Sequence, residues 1–183
     1  MPCKQGNREN IERSKEYWRK QREYNPLREL WKSLVQRVDR PEPGFSGLNS
    51  AEKLYFSLRV LEGEVYNGGF HQFFYNSSGE FYDQVVDGLT RLQAFASLKL
   101  LSEAKEILFG DADVPADRTE RYNLMENRPE TGAESTPRRI RLEEIDKAYW
   151  KNPDSLGAKL DEYAETQGLV EPFRREAPRD PGK

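Results

Sequence analysis

The stretch LEGEVYNGGFHQFFYNSSGE, from Leu61 to Glu80, decides the fold of this chain. Its Asn67-Gly68-Gly69 run predicts the end of a helix, because glycine takes the left-handed conformation beyond a helix terminus without a steric cost. Ser77 and Glu80 predict the next helix start, as the N-cap and third residue of a capping box. Between the stop and the start lie four aromatic residues, Phe70, Phe73, Phe74 and Tyr75. The stretch therefore predicts a short helical turn, anchored by buried aromatic side chains, between two longer helices.

The segments on either side have the apolar spacing of helices. Before the stretch, Asn25-Pro26 predicts one helix start, and Asn49 with Glu52 in a capping box predicts a second helix that ends near Tyr66. After it, apolar residues recur at helical spacing in three segments, 81–92, 94–109 and 140–150. A last helix is predicted to start at Asn152-Pro153 and to stop at Gly168. No segment has a convincing strand pattern, so the predicted fold is all-α, a single compact multi-helix domain.

Composition divides the chain into three parts. Residues 1–24 are mostly charged or polar and predict a flexible basic N-terminal arm. Residues 25–171 form the predicted all-α domain. Within it, residues 111–138 carry three prolines and many charged residues, and they predict a long loop or insertion with at most one helical turn. Residues 172–183 have the composition of a disordered tail.

Two carboxylates near the end of the central helix lie in unusual surroundings. On a helical wheel Glu62 falls between Leu58 and Val65, and Glu64 lies on the opposite face. A carboxylate among leucine side chains needs hydrogen-bond donors. We therefore expect at least one of the two to be largely buried and hydrogen bonded near the Asn67-Gly68-Gly69 turn.

The residue types argue against most catalytic and metal chemistry. One cysteine and one histidine leave no basis for a disulfide framework or a cysteine-rich zinc site. His71 with Ser77 or Ser78 lacks the motif around a catalytic serine. The Glu-x-x-His spacing of carboxylate metal sites on helical bundles is also absent near the candidate carboxylates, Glu62, Glu64, Glu80, Asp83 and Asp87. We expect no enzymatic activity, no cofactor and no metal.

Charge and hydropathy narrow the class of partner. Residues 1–40 carry a net charge of +5, whereas residues 41–170 carry −9. Nucleic-acid affinity depends on neutralising phosphates with lysine and arginine, so the acidic body is not expected to bind nucleic acid directly. No run of 18 apolar residues occurs, and we expect no membrane segment and a cytoplasmic location. The remaining class of partner is a protein with a basic surface.

The central stretch resembles the signature of the bacterial DNA-mimic protein domain family, Asn-Gly-Gly-Phe-x-Gln-Phe/Tyr-Phe-x-Asn-Ser-x-Gly. The similarity extends more weakly from Leu30 to Phe173. Because the motif consists mainly of glycine, aromatic and amide residues, we interpret it as fold-making, together with Glu62 and Glu64. The matching residues are Asn67, Gly68, Gly69, Phe70, Gln72, Phe73, Phe74, Asn76, Ser77 and Gly79.

The resemblance also implies a function. The best-understood member of that family is a dimer whose acidic surface imitates DNA phosphates and occupies the DNA-binding face of a transcription factor. It implies here a non-enzymatic protein-binding module, a basic DNA-binding protein as partner, and a homodimer. We assign Glu80, Asp83 and Asp87 to the acidic face, because they follow the signature at i, i+3 and i+7. The alternative is a small-molecule-binding or enzymatic domain with a pocket around His71 and Gln72.

Overall fold

The computed structural model describes residues 13–15, 24–127 and 136–170. All regular structure in these ranges is helical, and the predicted all-α fold is confirmed. The α-helices from residue 24 onward are α1 (Pro26–Val38), α2 (Ser50–Tyr75), α3 (Tyr82–Arg91), α4 (Phe95–Phe109), α5 (Arg118–Glu126), α6 (Thr136–Trp150) and α7 (Leu156–Thr166). Short 3-10 helices at Gly44–Gly47 and Ser77–Phe81 precede α2 and α3.

Two of the predicted helix starts are confirmed by their hydrogen bonds. The Asn25 side chain accepts from the Arg28 N–H at 3.0 Å, with Pro26 in the first turn. Asn49 and Glu52 exchange both bonds of a capping box, each 2.9 Å long. Each bond satisfies a backbone N–H that has no partner within the helix.

Helix α2 is the centre of the domain, and the other helices pack around it. It contacts α3, α6, α7 and the Ser77–Phe81 turn. Most of its apolar side chains are buried. Three of the four signature aromatics, Phe70, Phe73 and Phe74, are 0% exposed. The core is therefore built around the stretch that carries the signature.

The Gly68-Gly69 pair ends the first of two helical segments that together make up α2, where the sequence predicts a helix stop. Gly69 has φ 77° and ψ 179°, and Gly68 has φ −154°, so neither is helical. The helix then resumes and continues to Tyr75. Beside the interruption, the Val65 carbonyl accepts a hydrogen bond from the Trp150 indole N–H at 2.9 Å. The predicted stop is thus a kink between a long and a short helical segment.

Two predicted helix starts are wrong. Ser77 makes no capping box with Glu80, because Asn76 holds the extended conformation before the turn and a 3-10 helix separates it from α3. The last helix starts at Leu156 and not at Asn152-Pro153. Asn152 instead has φ 53°, and its side chain accepts from the Leu156 N–H at 3.2 Å.

The expectation of at most one helical turn in residues 111–138 is also wrong. Helix α5 spans nine residues, and the Asp117 side chain caps it by accepting from the Glu120 N–H at 2.9 Å. Arg121 and Met125 face inward and are buried. Residues 128–135, most of the predicted basic arm and the predicted tail from residue 172 lie outside the described residues. The predicted division into arm, domain and tail stays a prediction.

Candidate functional site

The polar residues of the signature form a network around one carboxylate. Glu64 accepts hydrogen bonds from Gln72 Nε2 at 2.6 Å, from Asn76 Nδ2 at 3.0 Å and from Ser78 Oγ at 3.1 Å. Asn67 donates to the other end of the Gln72 amide at 3.2 Å. The carboxylate therefore ties the segment before the kink to the turn that follows α2. The hydrogen bonds expected near this turn are made by Glu64, which is half-buried, and not by Glu62, whose helical-wheel position motivated the expectation.

A second carboxylate, on a distant helix, holds the kink itself. Asp146 on α6 accepts from the Phe70 N–H at 2.8 Å. A Cβ on Gly69 would lie 2.2 Å from Asp146 Oδ2, so no other residue fits there while this bond remains. Desolvation raises the pKa of Asp146, and the bond from the Phe70 N–H counteracts part of that shift.

A buried arginine is hydrogen bonded to the backbone at the C-terminal end of the signature. Arg121 on α5 is 0% exposed and has no carboxylate in direct contact within the described residues. Its guanidinium donates to four backbone carbonyls, those of Phe74 at 3.0 Å, Asn76 at 2.8 Å, Pro115 at 2.9 Å and Ala116 at 2.7 Å. Gly79 packs against it, because a Cβ there would lie 2.6 Å from Arg121 Nε. The region predicted to be a long loop or insertion therefore holds the signature turn in place.

His71 and Gln72, the residues of the predicted alternative pocket, have different partners and do not line a common pocket. Gln72 points toward Glu64 and Asn67, and both ends of its amide are hydrogen bonded to them. His71 is exposed and stacks on Tyr75, with ring centroids 5.7 Å apart. Partial desolvation lowers the pKa of His71. In the described residues, no three His, Cys, Asp or Glu side chains converge on a position where a metal could bind.

The carboxylates assigned to the acidic face are all exposed. Glu80 lies in the 3-10 turn and Asp83 in the first turn of α3. Neither is in an ion pair with another described residue. Asp87 differs, because it pairs with Arg91 at 2.9 Å one turn further along the helix. Glu80 and Asp83 are therefore accessible and unpaired among the described residues, whereas Asp87 is paired with Arg91.

Two further carboxylates, from the α4–α5 connection, act on the same side chains as Glu80 and Asp83. Desolvation raises the pKa of Tyr82, and the charges of Asp83 and Asp113 raise it further. Desolvation lowers the pKa of Arg121, and the charges of Glu80 and Asp117 oppose that shift. Asp83 and Asp113 therefore act on Tyr82, and Glu80 and Asp117 act on Arg121. Sequence reasoning missed Asp113 and Asp117, because the capped helix that positions them was not predicted.

A cleft of about 600 Å³ lies on another side of the molecule, between the start of α1, the middle of α2, and α7. In it, Arg59 donates to Glu62 at 3.0 Å and to Tyr55 Oη at 3.3 Å, and it also donates to Asp161. The Glu62 side chain is largely buried, as expected, but its partner is Arg59 in this cleft and not a donor at the kink. Sequence reasoning did not pair Glu62 with Arg59, although Arg59 lies only three residues earlier on the same helix. It could not find Asp161, which lies 102 residues from Arg59 in the sequence.

Comparisons with known proteins place the chain in a family. A family model described as DMP19-like protein matches residues 46–167, about two thirds of the chain, and this range includes the signature stretch and helices α2 to α7. No curated protein and no solved structure matches the chain. No helix in the described ranges has both the length and the apolar character needed to cross a membrane. The chain belongs to the family of DMP19-like proteins.

Proposed function

We propose that this protein is a non-enzymatic protein-binding module whose acidic face engages a basic DNA-binding protein in place of DNA. The family to which the chain belongs is a family of DNA mimics, and this supports the proposal. One observation about this chain carries it. The carboxylates of Glu80 and Asp83 are exposed and unpaired among the described residues, and the charges of Asp113 and Asp117 act on the same side chains as they do, Tyr82 and Arg121.

The physical basis of the mimicry is that carboxylates and phosphates use the same partners. A DNA-binding surface holds lysine and arginine side chains that donate to phosphate oxygens. Spaced carboxylates offer acceptors of the same charge, and the rigid helix and turn hold them in place. Asp87 can also contact the partner, because its ion pair with Arg91 is exposed and weak. An arginine of the partner can replace Arg91 in that pair.

The contrast between the face and the signature supports the assignment. Within the signature, polar side chains are hydrogen bonded to the protein itself, so they are not available to a partner. On the acidic face, binding of any protein would remove water from the carboxylates, which is unfavourable unless lysine or arginine side chains replace that water. The face is therefore selective for basic surfaces. The homodimer that the family resemblance implies would present two such faces, and we include it in the proposal.

The test compares two variants with the same change in charge. The face variant carries Glu80→Gln, Asp83→Asn and Asp87→Asn. The control carries Glu42→Gln, Glu144→Gln and Glu162→Gln, three exposed positions elsewhere. A basic protein that co-purifies from the native host is identified by mass spectrometry, and its affinity is measured at several salt concentrations.

We expect the face variant to bind at least tenfold more weakly and to show a shallower dependence on salt, because fewer ion pairs form. The control should retain most of the affinity. If both variants lose affinity equally, net charge and not this face drives the binding, and the assignment fails. Light scattering of the free protein reports the oligomeric state.

A further inference from the structure

The cleft between α1, α2 and α7 has the size and lining of a ligand site. Its volume of about 600 Å³ lies within the range of small-molecule pockets. Its surface is mostly apolar, with a few polar groups that converge at one place. The residues that line it and matter here are Trp31, Tyr55, Arg59, Glu62, Gly63 and Tyr66.

Two arginines and two carboxylates line the cleft, but one of the arginines, Arg28, is paired with Glu29 outside the lining. On the polar floor of the cleft, the two carboxylates, of Glu62 and Asp161, share the guanidinium of Arg59. Glu62 uses Oε2 for that bond, and its Oε1 has no hydrogen-bond donor among the described residues. The Glu62 side chain is 13% exposed, and this desolvation raises its pKa. A partly desolvated carboxylate with a free oxygen would gain from a cation placed beside it.

The walls offer aromatic surface around this floor. The Arg59 guanidinium already covers the ring of Tyr55, 5.2 Å from its centroid. Tyr66 is 46% exposed and Trp31 is partly exposed. Aromatic faces attract cations and also bury the alkyl chain that carries them. Floor and walls therefore favour the same kind of ligand, an organic cation with an apolar stem.

An anionic ligand is disfavoured by the same contacts. Each nitrogen of the Arg59 guanidinium already donates to a protein oxygen. An anion would have to displace one of the two carboxylates, or lie next to both. Arg28 at the rim is in an ion pair with Glu29 at 3.5 Å. An anion bound at either arginine would therefore compete with carboxylates of the protein itself.

Gly63 supports a role for the open space. It lies inside a regular helical part of α2, where glycine is less stable than alanine. It has no positive φ, and a Cβ added to it would meet nothing within 4 Å. Neither backbone conformation nor packing requires glycine at this position. Because Gly63 lines the cleft, we expect a bulky side chain at this position to reduce the cleft's volume.

We infer that this cleft binds a small organic cation, an ammonium or guanidinium group on a short apolar chain. The cation lies against the free Glu62 oxygen and Asp161, and the chain lies against Trp31 and Tyr66. This site is separate from the acidic face and does not depend on the function proposed for that face. No covalent chemistry is involved.

The experiment uses three probes that share one apolar body: hexylammonium, hexanol and hexanoate. Calorimetric titration of the full chain should detect hexylammonium binding, with the other two at least tenfold weaker. Gly63→Phe fills the cleft from a position without neighbours, and we expect it to abolish the binding. Gly63→Ala is its control and should retain it. Glu62→Gln should weaken the binding at least tenfold, and thermal unfolding checks that each variant folds.

Several results would overturn the inference. Equal affinity for hexanol or hexanoate would show a merely apolar groove, and retained binding in Gly63→Phe would place the ligand elsewhere. Absence of hexylammonium binding at millimolar concentration would remove the site.

Two further arms define the source of the cation and separate the two proposals. Nα-acetyl-lysine methylamide presents the same ammonium on a peptide backbone. Tighter binding of this probe than of hexylammonium identifies a lysine side chain as the ligand, and the reverse identifies a free small molecule. The variant with Glu80→Gln, Asp83→Asn and Asp87→Asn should bind hexylammonium with unchanged affinity. Failure at the cleft therefore leaves the acidic-face proposal untouched.

Discussion

The signature turn and the acidic face are neighbours in sequence, but they use their polar groups in opposite ways. In the turn, Glu64 is surrounded by donors from the same chain, and Arg121 is surrounded by backbone carbonyls. On the face, Glu80 and Asp83 point to solvent. In the turn, polar side chains stabilise a non-helical backbone, which lacks the regular hydrogen bonds of a helix. The face depends on that rigidity but contributes little to it, so substitutions in the two regions should separate stability from binding.

Arg121→Met should give the largest loss of stability. It keeps much of the side-chain volume but leaves four buried or partly buried carbonyls without their donor. We expect the free energy of unfolding to fall by about 3–5 kcal/mol. Urea denaturation measures this change. Arg139→Met is the control, because Arg139 is exposed and its pair with Glu143 should contribute less than about 0.5 kcal/mol. Similar losses in both variants would contradict the role given to Arg121.

Two glycines of the same helix should respond to alanine with opposite signs. Gly69→Ala adds a Cβ at a positive φ and against Asp146, so it should cost about 2–4 kcal/mol. Gly63→Ala meets no neighbour and should stabilise the protein by about 0.5–1 kcal/mol. Thermal unfolding of the two variants side by side makes the comparison. A stable Gly69→Ala protein would mean that the kink is not held as described.

Glu64→Ala should have an intermediate effect. It removes the acceptor shared by Gln72, Asn76 and Ser78, and we expect a loss of about 1–3 kcal/mol. Glu64→Gln keeps an acceptor of the same shape and should lose less than half as much. Denaturant titration of both variants gives the two numbers. If Glu64→Gln lost as much stability as Glu64→Ala, the charge of Glu64 and not its hydrogen bonds would matter.

How much of this could be predicted from the sequence depends on how local the interactions are. The Asn25 and Asn49 caps are confirmed because a cap involves residues three positions apart. The helix stop at Gly68-Gly69 is local in the same way, and a second helical segment follows it. Ser77 was misassigned because Asn76 took the cap position. In α5 the signal was present, since Asp117 precedes Glu120 at capping distance, but the polar composition of the segment outweighed it.

The parts of the sites that the sequence could not predict depend on contacts between distant residues. Asp146 lies 76 residues from Phe70, whose N–H it accepts, and Arg121 lies 47 residues from Phe74. The cleft joins α1, α2 and α7, and its Arg59–Asp161 pair spans 102 residues. A single sequence gives the helices and their apolar faces. It does not give the register in which those faces pack, and that register decides which charges meet.

Amide substitutions on the acidic face should have the smallest effect on stability. Two contributions would be lost with Glu80→Gln, Asp83→Asn and Asp87→Asn. Asp83 in the first turn of α3 interacts favourably with the helix dipole, and Asp87 pairs with Arg91. A third effect has the opposite sign, because removing these charges relieves repulsion from Asp113 and Asp117.

We therefore expect the triple variant to unfold within about 1 kcal/mol of the parent protein. Thermal and urea unfolding at low and high salt measure the change, and the difference should shrink as salt screens the exposed charges. A loss as large as that of Glu64→Ala would mean that the face is part of the fold, and the separation between the two regions would fail. An unchanged fold with weakened binding of the basic partner is the combination that the proposed function requires. A carboxylate kept exposed and unpaired, with little effect on stability, is free to serve binding alone.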